Sequence, residues 1–224
     1  MSAILESLLA TGDDSVELDR VALEIARFEN PLIDVRGCLL ALDHWAAELG
    51  RRLSPSAGGS EFVARANQYL FHELRLRGDQ DSYFDPANSC LDQVLERRKG
   101  LPITLSVIYL EIARRLLRPA YGVALPAHFF VRYNDGLFSI YVDTFHGGQL
   151  LTETQCEEMV RQMTGSQETI SRSAFAAATK RQIAVRMLRN LQNANLRAGN
   201  RPKALQIQSF LDRHLASHLP FNSL

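Results

Sequence analysis

The first third of the chain repeats its hydrophobic positions at helical spacing. Between Val16 and Phe28 they fall at Leu18, Val21, Ala22, Ile25 and Phe28, and between Asp34 and Leu53 at Val35, Leu39, Leu42, Trp45 and Leu49. Each set draws one apolar stripe on a helix, and Pro31 separates the two. The turn-rich run Ser54-Pro55-Ser56-Ala57-Gly58-Gly59-Ser60 reads as a linker. Beyond it Phe62 to Leu76 predicts a third helix, ended by Arg77-Gly78-Asp79. Ser89, with Asp92 three residues on, predicts an N-cap for a short helix to Arg98 that Gly100 stops. Pro102 suits the first turn of the next helix, and Ile103 to Leu117 is apolar on most sides, the pattern of a central buried helix.

After Pro119 the period becomes two. Tyr121 to Leu125, His128 to Tyr133 and Leu137 to Asp143 predict antiparallel strands, the last two joined at Asn134-Asp135-Gly136. From Thr152 the helical period returns, with Thr152 as the cap of a helix through Met163. Ser173 to Leu196 and Pro202 to Leu215 predict a helical hairpin around Ala198-Gly199-Asn200.

A two-residue Asp135-Gly136 turn would set His128 directly opposite Asp143. Alternation then puts Phe129, Val131, Tyr133, Phe138, Ile140 and Val142 on an apolar face. His128, Phe130, Arg132, Ser139, Tyr141 and Asp143 fall on the other. A carboxylate beside an imidazole fixes its tautomer and supports its cation, as a general base requires. The same pair also serves as a purely structural hydrogen bond at a sheet end, and spacing leaves both readings open.

Length and composition add limits. A chain of 224 residues with 46% hydrophobic content can bury a real core. Lys+Arg and Asp+Glu number 25 each, so no overall positive field points to nucleic acid or to an anionic membrane surface. Cys38, Cys90 and Cys156 are odd in number and set in apolar patterns, which suits reduced thiols. No stretch is long enough to span a bilayer, and the start of the chain lacks a signal-peptide pattern. A cytoplasmic location is expected.

Three blocks in register carry a family likeness: Asn88-Ser89-Cys90-Leu91-Asp92 through Arg98-Lys99-Gly100-Leu101-Pro102-Ile103-Thr104-Leu105-Ser106, then Pro126-Ala127-His128-Phe129, then Asp143-Thr144-Phe145-His146-Gly147-Gly148. Together they resemble the transglutaminase-like core of the bacterial SirB-one family, over about residues 60 to 160. The resemblance implies an α+β fold, with an N-terminal helical subdomain (1–59), a transglutaminase-like core of buried helix and small antiparallel sheet (60–165), and a tetratricopeptide-like helical hairpin (166–224). In the wider papain-like superfamily a cysteine at the start of the central helix is activated by a histidine and an aspartate on successive strands. Carried over, the histidine falls on His128, the aspartate on Asp143 and the cysteine near Pro102, where no thiol stands. Ala127, Thr144 and His146 also depart from the family's commoner residues.

Thr104 and Ser106 are the nearby hydroxyls that could stand in for the thiol, although a hydroxyl inside a helix commonly bonds back to the carbonyl four residues earlier. His128, Asp143 and His146 could alternatively hold a metal, and His146 could equally be a loop residue beside Gly147-Gly148. The resemblance makes Asn88 and Arg98, with His146, candidates for a supporting polar cluster. Glu96-Arg97-Arg98-Lys99 reads more simply as a solvated helix end. His44, His72, His214 and His218 share no ligand spacing. The expectation is a protein that binds a peptide or protein segment without a cofactor and without acyl transfer. The alternative is an amide hydrolase or acyltransferase working through a hydroxyl or a metal.

Overall fold

The computed structural model describes residues 3–12, 15–166 and 168–215. Helices α1 (Ala3–Thr11), α2 (Leu18–Ala26), α3 (Val35–Gly50) and α4 (Gly59–Asn67) come first, and α4 runs on into a π-helical turn, Gln68–Glu73. A two-residue strand β1 (Arg77–Gly78) and a 3-10 turn at Pro86–Ser89 lead to α5 (Leu91–Arg97), β2 (Lys99–Gly100) and α6 (Pro102–Arg115). Four strands follow, β3 (Ala120–Leu125), β4 (His128–Asn134), β5 (Ser139–Asp143) and β6 (Gln149–Leu151), and then α7 (Glu153–Thr164), α8 (Lys180–Arg197) and α9 (Arg201–Leu215). Strands β3 to β6 form one antiparallel sheet in chain order, and β1 pairs with β2 in parallel. Small sheet and many helices make the α+β class expected from the sequence.

Pro102 opens α6 without wasting a hydrogen bond, because the first helical N–H has no partner inside the helix. Every residue from Pro102 to Ala113 is buried. The helix packs on β3 and β4 on one side and on α2 and α3 on the other. One core cluster runs from Leu5 through α6 to Leu211, so all three segments of the chain share it. The apolar face of β4, with Phe129, Val131 and Tyr133, belongs to this core. The opposite face, with Phe130 and Tyr141, is covered by Cys156 and Val160 of α7 and by Phe175, forming a second, smaller core. The two-faced alternation of the strands therefore has a partner on each side.

Several local expectations are corrected. The cap residue of α5 is Cys90 rather than Ser89, because Asp85 caps the preceding 3-10 turn through Ala87 N and draws Ser89 into that turn. Arg98, at φ 61°, ends α5 in place of Gly100, which is taken up by β2. The β4–β5 connection is a four-residue loop, since Asn134 pairs with Ser139. Asp135 Oδ1 accepts from the backbone N of Leu137 (3.0 Å) and Phe138 (2.8 Å), and this holds the wider loop. Strand β6 is unanticipated. It forms because Gly147 and Gly148, at φ 68° and 79°, turn the chain back so that Gly148 N donates to Asp143 O (2.9 Å). A Cβ on Gly148 would also lie 2.4 Å from the Phe71 ring. Thr152 caps α7 as expected, in a reciprocal capping box with Gln155. His218 lies outside the described residues. Among those residues no helix is long and apolar enough to cross a membrane.

Candidate functional site

The wider loop shifts the β4–β5 register by two residues, an even number, so every side chain keeps its face. His128 and Asp143 are consequently diagonal rather than directly opposed. They still meet, with His128 Nε2 3.0 Å from Asp143 Oδ1, and both are buried. Asp143 is an acceptor hub. Its Oδ1 also takes the backbone N–H of Phe145 (3.0 Å) and His146 (3.2 Å), and Oδ2 lies 2.7 Å from His146 Nδ1. Burial alone would raise the Asp143 pKa, but the hydrogen bonds and charges of His128 and His146 outweigh it and hold the carboxyl well below its usual range. The same contact raises His146, its hydrogen bond to Asp143 outweighing the burial that opposes it. With Asp143 ionised, the ring nitrogens facing it carry the protons, so a neutral His128 has its lone pair on Nδ1. Phe130 and Phe145 pack against the His128 ring, with centroids 4.5 and 6.2 Å away.

A cleft of about 550 Å³ opens over the start of α6. Pro102 and Ile103 line it, together with Pro126 and Ala127 of the β3–β4 turn, Tyr83 and Phe84 of the loop before α5, and Arg186, Arg189, Asn190 and Asn193 of α8. Pro102 thus stands in the cleft at the position where the resemblance puts a nucleophile. No cysteine lines it. Burial, the largest cause in each case, pushes the Cys38 thiol up to about 11, Cys156 up to about 12 and Cys90 well above its ordinary value, so none is a ready thiolate. His128 is only 2% exposed and its neighbours Ala127 and Phe129, not the imidazole itself, line the cleft.

Thr104 and Ser106 are fully buried and neither faces the cleft. Instead of bonding back along the helix, Ser106 Oγ meets Thr144 Oγ1 at 3.0 Å, and Thr144 donates to Pro102 O (3.2 Å). Thr104 Oγ1 has no hydrogen-bond partner among the described residues. Asn88 and Arg98 make no hydrogen bond to the His128–Asp143 pair. Asn88 Nδ2 donates to Ser82 O (2.7 Å) and the Asn88 backbone carbonyl accepts from Leu101 N (3.1 Å), which fixes the Tyr83 wall to the segment entering α6. Arg98 lies over the Trp45 ring at 4.3 Å and donates to Leu95 O. Its neighbours Arg97 and Lys99 pair with buried Asp79, so this helix end is engaged rather than solvated.

Two further residues brace the site, Thr144 from beside Asp143 and Arg186 from distant sequence. Thr144 ties the Asp143 loop to the first turn of α6. Arg186, on α8, donates to Leu125 O (2.7 Å) and to His128 O (2.8 Å), clamping the turn that presents His128. The only advance signal for either was an arginine on a helix face and a hydroxyl beside a candidate aspartate.

Central helix, following sheet and the His–Asp pair on successive strands define a transglutaminase-like core. A family profile described as Transglutaminase-like superfamily matches residues 37–189, and the chain belongs to that superfamily. Among curated relatives, a UPF0162 protein of Xylella fastidiosa (strain 9a5c) is 38% identical over 192 residues, 84% of this chain and 68% of the relative. The UPF0162 protein of Pseudomonas aeruginosa is 30% identical over the same shares. These place the chain among the UPF0162 proteins. It is also 29% identical to F-box only protein 21 of Mus musculus over 71% of this chain and 26% of that one. No solved structure matches the chain significantly.

Proposed function

We propose that this protein is a non-catalytic member of its superfamily, of the SirB-one type, that binds a peptide or protein segment in the cleft over Pro102. The observation that carries this is the cleft itself. It has the volume of a ligand site, a proline near where the resemblance puts the thiol, and a buried imidazole whose flanking residues line it. In this reading the His128–Asp143–His146 hub supports the cleft from below, and α8, the first helix of a tetratricopeptide-like hairpin after residue 165, closes its far side. The chain works in the cytoplasm as an N-terminal helical unit, a core from residue 60 and this hairpin, with no nucleic-acid partner and no cofactor.

The test is to titrate fluorescein-labelled randomised heptapeptides into the full chain and follow anisotropy, then weigh the peptides by mass spectrometry. Saturable binding without a mass change is expected, lost in Asn193→Trp, which fills the cleft from an exposed position. Hydrolysed or transferred peptide, or covalent labelling of Thr104 or Ser106 by an amide-directed electrophile, would overturn it.

A metal-dependent hydrolase is the second reading, because ligand atoms of His128, Asp143 and His146 lie within 4.8 Å of one another. The fit is poor. Both imidazole nitrogens facing Asp143 are committed as donors, and Asp143 Oδ1 holds two backbone N–H groups as well. Stoichiometric zinc retained after dialysis, and lost in His146→Ala, would favour this reading.

A further inference from the structure

Arg186, Arg189, Asn190 and Asn193 recur at i, i+3, i+4 and i+7, so they form one stripe of α8, and this stripe lines the cleft. A polar helix stripe normally faces open water. Here it faces a concavity whose other walls are apolar or aromatic, with Tyr83 and Phe84 on one side and Pro102, Ile103 and Pro126 on another. No aspartate or glutamate lines the cleft, although the whole chain carries equal numbers of acidic and basic residues. The adjoining groove of about 370 Å³ repeats the bias, being lined by Arg181, Arg186 and Arg189 with no acidic residue.

The two cleft arginines are not equivalent. Arg186 is committed to the carbonyls of Leu125 and His128. Arg189 is exposed and its guanidinium has no ion-pair or hydrogen-bond partner among the described residues. One free guanidinium flanked by two carboxamides is a match for one carboxylate, which it can hold through paired N–H donors. A phosphate cradle would need more convergent donors, and the nearest helix start, α6, gives up an N–H to Pro102.

We infer that the cleft selects a peptide segment carrying an acidic side chain, its carboxylate seated on Arg189 between Asn190 and Asn193 and its stem against Tyr83 and Phe84. This rests on the peptide-binding reading above and names the class of segment.

The experiment uses four fluorescein-labelled heptapeptide pools, randomised except for a central Glu, Gln, Lys or phosphoserine, titrated into the full chain. A charge-assisted hydrogen bond predicts that the Glu pool binds about tenfold or more tightly than the Gln pool. Arg189→Gln should bring the ratio of Glu-pool to Gln-pool affinity to about one, whatever it does to both, and Asn193→Asp should weaken the Glu pool relative to the Gln pool. Both variants alter exposed positions, and an unchanged denaturation midpoint checks the fold. Equal binding of the Glu, Gln and Lys pools, lost in Asn193→Trp, overturns the carboxylate and leaves peptide binding standing. A phosphoserine pool more than about tenfold tighter than the Glu pool overturns it in favour of phosphate. No binding by any pool overturns both readings.

Discussion

Helix α6 has a buried carboxylate cluster at each end, and the two have different partners. At the C-terminal end Asp19 and Glu111, 1% and 2% exposed, share Arg115, which lies 2.6 Å from Asp19 Oδ2 and 2.8 Å from Glu111 Oε2 and also reaches Asp43 at 2.7 Å. Arg114 adds a second contact to Glu111 at 2.8 Å. Arginine is charged at every ordinary pH, and cations suit a helix C-terminus, so this cluster is a fixed strut between α2, α3 and α6. At the N-terminal end the single carboxylate of Asp143 is held by two imidazoles, beside an open cleft. Both ends perturb a carboxyl. Burial, with the charge of Asp19, raises Glu111 against the pull of the two arginines, whereas hydrogen bonds win at Asp143. A displaced pKa therefore marks burial at one end and a candidate site at the other, and the identity of the partners tells them apart.

The largest expected effect breaks the strut. Arg115→Ala leaves two buried carboxylates without their shared cation and should cost about 3–5 kcal/mol in urea denaturation, with peptide affinity unchanged. Asp143→Asn comes next, at about 2–3 kcal/mol, because an amide keeps one acceptor oxygen but presents N–H to a donor already there. Unlike the first, it should also weaken binding. If the two variants gave the same loss and neither touched the cleft, the distinction between the ends would fail.

The sequence made the sheet faces legible even where the turn was misread. Asn134-Asp135-Gly136 favours a tight turn by composition, yet Asp135 spends its carboxylate on the two N–H groups beyond Gly136 and widens it. Because the resulting shift is even, His128 and Asp143 stay on one face, and the long His128 ring spans the diagonal. The start of α6 was equally legible, since proline has few other places in a buried helix. Arg186 was not, because its partners lie 58 and 61 residues away and only tertiary packing supplies them. Nor was the pairing of Ser106 with Thr144, which local rules assign to the helix's own carbonyl.

The two buried carboxyls should also answer pH with opposite sign. Asp143 is depressed, so its contribution is full above the unfolded carboxyl value and is lost as pH falls toward its folded value. Glu111 is raised, so its contribution is full below the unfolded value and fades as pH rises through the folded one. His146 is raised by the same hydrogen bond that depresses Asp143, so its share is present below the unfolded histidine value and is lost as pH rises through its folded value. His146→Ala should therefore cost up to about 1 kcal/mol at pH 5.5 to 6, given its partial exposure, and less at pH 8. Denaturation series at both pH values check it, and a loss that grew with pH would count against the contact.

The smallest effect gives the finest comparison. Ala127 at the cleft rim and Leu117 beyond the other end of α6 both adopt left-handed backbone, at φ 59° and 55°. A Cβ there costs roughly 1–2 kcal/mol, and glycine returns part of that gain through the entropy of the unfolded chain. Ala127→Gly and Leu117→Gly should thus each stabilise by about 0.5 kcal/mol. Leu117 is 92% exposed and far from the cleft lining, so its change should stop at stability. Ala127 forms the rim and adjoins His128, so freeing its backbone should also alter peptide affinity, measured by the same anisotropy titration. Equal stabilisation with a change in affinity at Ala127 alone would localise function to the N-terminal end of α6, and a matching change at Leu117 would remove that assignment.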